Sequence, residues 1–220
     1  MHRPYVAINV AATVDGKIDT VERRGAPVSS DADRDRVDRL RAAVDAVMVG
    51  GRTLHSEDPR LTVKSAALQQ ERLARGQPLN PAKVAITSRL DFRPDSRFLS
   101  AGPARIILFL PRGQASAAAP AGVEVYAIVD PGEAMARLYE LGIRRVLVEG
   151  GGTLNFELLR MNLVDELQVF VSPLIFGGAS APTLADGNGL ARDLAIKLDR
   201  FGVECFDDGG VLLRYRVQPA

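Results

Sequence analysis

The sequence predicts an α/β protein built on a largely parallel sheet and finished by an antiparallel hairpin. Three observations carry this. Short runs rich in Val, Ile and Leu are apolar on both faces, the pattern of strands covered on two sides. Helical patterns fall between them, as crossover connections in a parallel sheet require. Near the end, Ile196–Phe206 and Val211–Val217 flank Asp207-Asp208-Gly209-Gly210, a hairpin signal.

The strands expected are Tyr5–Val10, Ala46–Val49, Lys83–Thr87, Arg105–Leu110, Val123–Ile128, Arg145–Val148 and Leu167–Val171. Ser30 caps a helix over Asp31–Val44, with Val37, Leu40 and Val44 as its apolar stripe. Arg36 and Arg39 point away from that stripe as solvated charges. Asp130-Pro131 is an N-cap followed by proline at the first helical position, and Gly142 closes that helix. A third helix runs from Thr153 to about Met161. Ser65–Pro81, rich in Gln and Ala, and Pro111–Gly122, an Ala/Pro/Gly stretch, are expected as inserted loops.

Composition narrows the function classes. The 220 residues hold 28 Lys+Arg against 27 Asp+Glu, so bulk charge does not hold the chain on nucleic acid or an anionic membrane. Cys205 alone cannot form an internal disulfide, and with only His2 and His55 beside it no Cys/His zinc site is expected. The start, MHRPYVAINV, is too short and polar for a signal peptide, and no apolar run approaches membrane-spanning length. The expectation is one cytoplasmic domain over residues 1–220 with no metal site.

The strongest local feature is Val146-Leu-Val-Glu149-Gly150-Gly151-Gly152-Thr153-Leu154-Asn155, a buried strand running through three glycines into a helix. Such a turn lets backbone approach a ligand, and a helix start offers N–H groups to phosphate. It is neither a G-x-G-x-x-G nor a P-loop. The alternative is a tight turn needing positive φ. Glu149, at the strand's carboxyl end, faces the crevice where such sheets bind ligands.

Gly50-Gly51 follows a second strand and leads to Arg52, Thr53, Glu57, Asp58 and Pro59-Arg60-Leu61-Thr62. Two strand–glycine loops at one sheet edge suit a dinucleotide, although Asp58-Pro59 is equally turn chemistry. Arg41 borders the apolar stripe, where it either snorkels or pairs with a carboxylate such as Asp45, or holds a phosphate ester bidentately. Ser88-Arg89 follows a strand and offers a hydroxyl and a guanidinium to a second phosphate. Asp15-Gly16 and Phe176-Gly177-Gly178 are read as turns, and His55 as an exposed loop residue.

In order, these motifs resemble the riboflavin-pathway pyrimidine reductases, either stand-alone archaeal and fungal proteins or the reductase half of bacterial bifunctional deaminase–reductases. The resemblance rests on Asn9-Val-Ala-Ala-Thr-Val-Asp15-Gly16-Lys17, Arg41-Ala-Ala-Val-Asp45-Ala-Val-Met-Val-Gly50, Thr53 and Asp58-Pro-Arg-Leu-Thr62. It continues through Glu149-Gly-Gly-Gly-Thr-Leu154, Leu163-Val-Asp-Glu-Leu167 and Pro173-Leu-Ile-Phe-Gly-Gly178. The stand-alone type is the closer match.

The resemblance implies a dihydrofolate reductase-like α/β fold, a homodimer, NADPH as cofactor, and reduction of the ribosyl side chain of an aminopyrimidine 5′-phosphate to ribityl. By position it implies cofactor contacts at Ala12, Thr53, Glu57, Ser88 and the Gly150, Gly151, Gly152, Thr153, Leu154 loop. Substrate contacts fall on Ser29, Arg41, Leu61, Lys64 and Glu149, with Asn9 and Arg60 nearby. Arg89 is the candidate for the cofactor 2′-phosphate. Glu149 is expected to orient the substrate, and Asp58 is the candidate proton donor. Glu57 departs from the Asp typical of its position, and Ser65–Pro81 is longer than usual. Another dihydrofolate reductase-like enzyme, or a nucleotide-binding partner without catalysis, are the rival readings. One cysteine cannot supply the Pro-Cys-x-x-Cys ligands of a zinc deaminase, so these residues do not deaminate. That leaves two substrates open: the 2,5-diamino pyrimidine, which the likeness to the stand-alone type makes the preferred expectation, and the uracil deaminated by another protein.

Overall fold

The computed structural model describes residues 2–113 and 119–219, so the middle of the expected Pro111–Gly122 loop lies outside the described residues. The elements in order are β1 (Tyr5–Thr13), α1 (Asp31–Ala42), β2 (Ala46–Gly50), α2 (Gly51–Glu57), α3 (Ala66–Ala74), β3 (Ala82–Ile86) and α4 (Arg97–Ser100). They continue with β4 (Ile106–Pro111), β5 (Val123–Ile128), α5 (Pro131–Glu140), β6 (Arg145–Val148), α6 (Gly152–Arg160), β7 (Glu166–Ser172), a 3₁₀ turn at Arg192–Leu194, β8 (Leu198–Cys205) and β9 (Val211–Val217). The chain divides into two compact units: Arg36–Leu147 with the N terminus up to Pro4, and Tyr5–Asp35 with Val148–Ala220.

In the first unit the strands lie in the order β5-β4-β3-β2-β6. The pairs β2–β3, β3–β4 and β4–β5 are parallel. Met48, Val84, Ile107, Leu108 and Phe109 are fully buried in these strands. Ala134, Met135 and Leu138 of α5 are buried too, which is why the strand sequences are apolar throughout. Asp130 caps α5 by accepting from the Glu133 N–H, with proline at the first turn.

In the second unit the order is β1-β7-β9-β8. β1 and β7 are parallel, while β7–β9 and β8–β9 are antiparallel, as the hairpin signal requires. Gly210 leaves room for the Phe170 ring, which a Cβ would strike. β7 is flanked on both sides, whereas β8 is the outermost strand, its residues exposed apart from Gly202.

Three expectations need correction. Ser65–Pro81 is not a loop: Ser65 caps α3 by accepting from the Leu68 N–H, and Arg72 of α3 is 1% exposed. The buried guanidinium donates to the carbonyls of Ala42, Val44 and Pro78 and so closes the C-terminus of α1. Arg36 is not a solvated charge but is buried at 9%, beside Asp33 at 0%. The buried face of α1 is therefore turned one position from its apolar stripe, leaving Val37 and Leu40 half-exposed. His55, expected in an exposed loop, sits half-buried on α2.

Candidate active site

In the first unit, the Gly50-Gly51 turn passes β2 directly into α2. Gly51 suits a close approach, because a Cβ there would crowd Thr87 Cα at 3.1 Å and the Ile86 carbonyl at 3.2 Å. α2 carries Thr53 and Glu57, both half-exposed. His55 lies 3.1 Å from the Thr87 hydroxyl, which donates in turn to the Arg89 carbonyl. This chain fastens α2 to the turn holding Ser88 and Arg89, whose side chains are exposed. Burial, reinforced by the positive charge of Arg89, pushes the His55 pKa below its ordinary value. Arg89 Nε is 3.3 Å from the Asp91 carboxylate across exposed surface.

Asp58 ends α2 in a left-handed conformation, φ 46°. Its carboxylate is buried and fully engaged. Oδ1 accepts from the Ser96 hydroxyl and the Phe98 N–H at 2.9 Å each. Oδ2 accepts from the Arg97 N–H at 2.8 Å and from Arg93 Nη2 at 3.1 Å. Burial alone would raise its pKa, but these donors outweigh that and hold it at about 2. A carboxylate so engaged carries no proton to give near neutral pH, so the donor role expected of Asp58 does not fit. It fastens the start of α4. Lys83, fully buried on β3, fastens the other end of α4 through the carbonyls of Phe98 at 2.8 Å and Ala101 at 2.5 Å. Burial lowers the Lys83 pKa to about 8, partly offset by Asp58.

Arg41, in the last turn of α1, is half-buried and donates through Nη1 to the Thr62 carbonyl at 3.1 Å. Asp45 serves elsewhere, accepting from the backbone N–H groups of Arg144 and Arg145. Leu61 is 1% exposed and adopts φ 52°. Arg60 and Lys64 are exposed. Arg41 of α1 thus fastens the loop that carries Leu61 and Lys64.

In the second unit, Glu149 follows β6 half-buried and leads into α6. Each of two neighbouring glycines has its own reason. Gly150 adopts φ 107° with open space where a Cβ would stand, whereas a Cβ on Gly152 would collide with the Thr183 carbonyl and the Asp186 carboxylate. Chain geometry accordingly explains part of the glycine run without a ligand. The helix starts also differ: α3, α4 and α5 each have a side-chain cap, whereas the N-caps of α2 and α6, Gly50 and Gly151, provide none. Backbone N–H groups there suit an anion. Thr153 is exposed and Leu154 buried. Asn9 and Ala12 are buried on β1, and Ser29 is half-exposed before α1.

Two turns seen in the sequence are built into this unit's frame. Asp15 accepts from the Thr13 hydroxyl and from the N–H groups of Phe176 and Gly177, joining both glycine turns. Asp19 accepts from the N–H groups of Thr20, Gly25 and Ala26. The Asp15 connection to Phe176 and Gly177 has no local signal, because it joins residues more than 160 apart in the chain, whereas Asp19 closes a local turn.

Mostly parallel strands alternating with helices, finished by an antiparallel hairpin, define an α/β protein of dihydrofolate reductase-like fold. The chain belongs to the RibD C-terminal domain family, whose model matches residues 4–212. It is 38% identical over 208 residues to the 2,5-diamino-6-ribosylamino-4(3H)-pyrimidinone 5′-phosphate reductase of Archaeoglobus fulgidus, covering 91% of this chain and 94% of that protein. The protein of the same name from Methanothermobacter thermautotrophicus is 36% identical, with 86% of each chain covered. Among solved structures, a diaminohydroxyphosphoribosylaminopyrimidine deaminase/5-amino-6-(5-phosphoribosylamino)uracil reductase from Thermotoga maritima superposes with TM-score 0.81 at 27% identity. That match covers 98% of this chain but only 57% of the Thermotoga protein. Dihydrofolate reductase from Enterococcus faecalis shares the fold at TM-score 0.54 and 15% identity, covering 98% and 97% of the two chains. No helix among the described residues is long and apolar enough to cross a membrane.

Proposed function

We propose that the chain is an NADPH-dependent reductase of riboflavin biosynthesis. It converts the ribosylamino side chain of an aminopyrimidine 5′-phosphate to ribitylamino, with 2,5-diamino-6-(5-phosphoribosylamino)pyrimidin-4(3H)-one as preferred substrate. The observation that carries this reading is the 38% identity to a stand-alone diaminopyrimidine reductase over 94% of that protein's length. When bound, NADPH would supply a hydride from nicotinamide C4, taken up at C1′ of the ring-opened imine while the imine nitrogen gains a proton from solvent, which leaves the secondary amine of the ribityl product.

The residues present fit that cofactor. The uncapped start of α6 and the open side of Gly150 suit its pyrophosphate, with Gly151, Gly152, Thr153 and Leu154 alongside. Ala12, Thr53, Glu57 and Ser88 are assigned further cofactor contacts, and Arg89 the 2′-phosphate. Arg41, Lys64 and Arg60 hold the substrate phosphate, and Ser29, Leu61 and Asn9 line its remainder. Glu149 orients the pyrimidine or the sugar hydroxyls. Residues 1–220 act as one reductase domain in the cytoplasm, without nucleic acid or membrane as partner.

A homodimer is part of this reading, and the structure moves its basis. β7 is an interior strand, so it has no edge to offer. β8 is outermost and exposes Leu198, Phe201 and Val203 at 38%, 44% and 45%. A scattering mass of twice 23.7 kDa is expected, and a monomer at micromolar concentration contradicts it.

Turnover of the two purified pyrimidines tests the substrate assignment. NADPH absorbance should fall faster with the diamino compound. Faster reaction with the uracil reverses the preference, and binding without oxidation of either removes the reductase reading.

A further inference from the structure

The run Leu61–Ser65 belongs to no helix or strand, yet side chains hold its backbone at almost every residue. The Thr62 carbonyl accepts from Arg41, at 3.1 Å. The Val63 N–H donates to Asn80 Oδ1 at 3.0 Å, and the Val63 carbonyl accepts from Gln69 Nε2 at 2.8 Å. The N–H groups of Lys64 and Ser65 donate to the two oxygens of Asp38, at 2.7 and 2.8 Å. Asp38 itself is only 7% exposed. The Lys64 side chain is exposed and makes no hydrogen bond or ion pair among the described residues.

Burying a carboxylate is costly unless it is well hydrogen-bonded, and a surface turn does not need one. Asp38 spends both oxygens on consecutive N–H groups of the residue carrying an unpaired ammonium and its neighbour. Asp38 and Arg41 lie three residues apart on α1, so one helix grips the loop at two points. Their separation fixes where Lys64 leaves the chain relative to the Arg41 guanidinium. α3 adds the second brace through Gln69, and its Arg72 closes the end of α1 that carries Arg41.

We propose that Asp38 is a positioning residue that presets the Lys64 loop against Arg41 for a phosphate monoester, with Gln69 of α3 as its auxiliary. The proposal rests on the assignment of Lys64 and Arg41 to the substrate phosphate. It also gives the Ser65–Pro81 segment a purpose: it holds the loop in its binding form before ligand arrives, so that less ordering is left to binding.

The test measures affinity for ribose 5-phosphate and for ribose by titration calorimetry, independently of turnover. Wild type should prefer the phosphate ester. Asp38→Asn puts an amide where one N–H now finds an acceptor, and should weaken ribose 5-phosphate roughly 5- to 10-fold while leaving ribose unchanged. Lys64→Ala should weaken it at least as much, and adding Asp38→Asn to Lys64→Ala should cost no more, since Asp38 acts through Lys64. Gln69→Ala, at a half-exposed position, should shift affinity in the same direction by less and serves if Asp38→Asn fails to fold.

Equal affinity of wild type and both brace variants for ribose 5-phosphate overturns the proposal. So do equal losses for ribose, additive losses in the double variant, or a wild type that does not distinguish the two sugars. A wild type that binds ribose 5-phosphate through Lys64 but reduces neither pyrimidine removes the reductase reading and leaves Asp38's role standing.

Discussion

Asp58→Asn separates a structural carboxylate from a catalytic one. The substitution keeps the shape of the side chain and removes its charge from between four donors, three of them on residues 96–98 at the start of α4. A pKa of about 2 against the ordinary 3.8 corresponds to roughly 2.4 kcal/mol of folding stability at neutral pH. Arg93 is 64% exposed and its share is screened, so about 2 kcal/mol is the working figure. For a chain of this size that lowers Tm by roughly 4–8 °C.

The sign follows from a lowered folded-state pKa. The stabilisation is complete above the unfolded value near 3.8 and is lost as pH falls through about 2. Urea unfolding of wild type and Asp58→Asn at pH 7, 4 and 3 should therefore show a gap that is full at pH 7 and about half gone at pH 3. The folded variant should keep kcat within several-fold, because the carboxylate gives no proton. No stability gap at pH 7, or a gap undiminished at pH 3, would refute the argument. So would a loss of kcat of about 10²–10⁴-fold, the range for removing a general acid.

Lys83 moves stability with pH in the same direction, but at the alkaline end and because burial penalises its charged form. Its folded pKa of about 8 lies below the ordinary 10.5, so the wild type should gain stability relative to Lys83→Met as pH rises between those values, by roughly 3 kcal/mol in chemical unfolding. A gap independent of pH there contradicts the buried-ammonium account. Gly152→Ala should destabilise by about 2 kcal/mol or more through collision with Thr183 and Asp186. Gly150→Ala should cost about 1–2 kcal/mol through its positive φ alone, and equal thermal stability of either variant with wild type argues against these assignments. Arg89→Ala should raise the KM for NADPH far more than that for NADH, and equal effects would dismiss Arg89 as the 2′-phosphate contact.

Most of the sheet was legible because its strands are buried on both faces and so spell continuous apolar runs such as Ile106–Leu110. The terminal hairpin announced itself through Asp207–Gly210. What was not legible depends on partners far along the chain. Asp58 reads locally as a free acid beside a proline, yet its donors lie 35–40 residues later. Asp38 reads as one more charge on a polar helix, and its partners are 26 and 27 residues away. α3 did carry a local signal, Ser65 before a run of Ala, Leu, Gln and Glu, which are strong helix formers. Its Gln/Ala bias obscured that signal, because the helix buries an arginine where an apolar stripe is expected. The glycine run pointed to the right turn, but Gly152 is there for the chain's own Thr183–Asp186 segment as much as for any ligand.

The central claim is hydride delivery to the ribosyl carbon, and isotope transfer tests it most directly. NADPH deuterated on the transferred face of nicotinamide C4 should leave one deuterium on C1′ of the ribityl product, seen by mass spectrometry and located by NMR. A product carrying no deuterium when each face is labelled in turn, or carrying it at another carbon, contradicts the account.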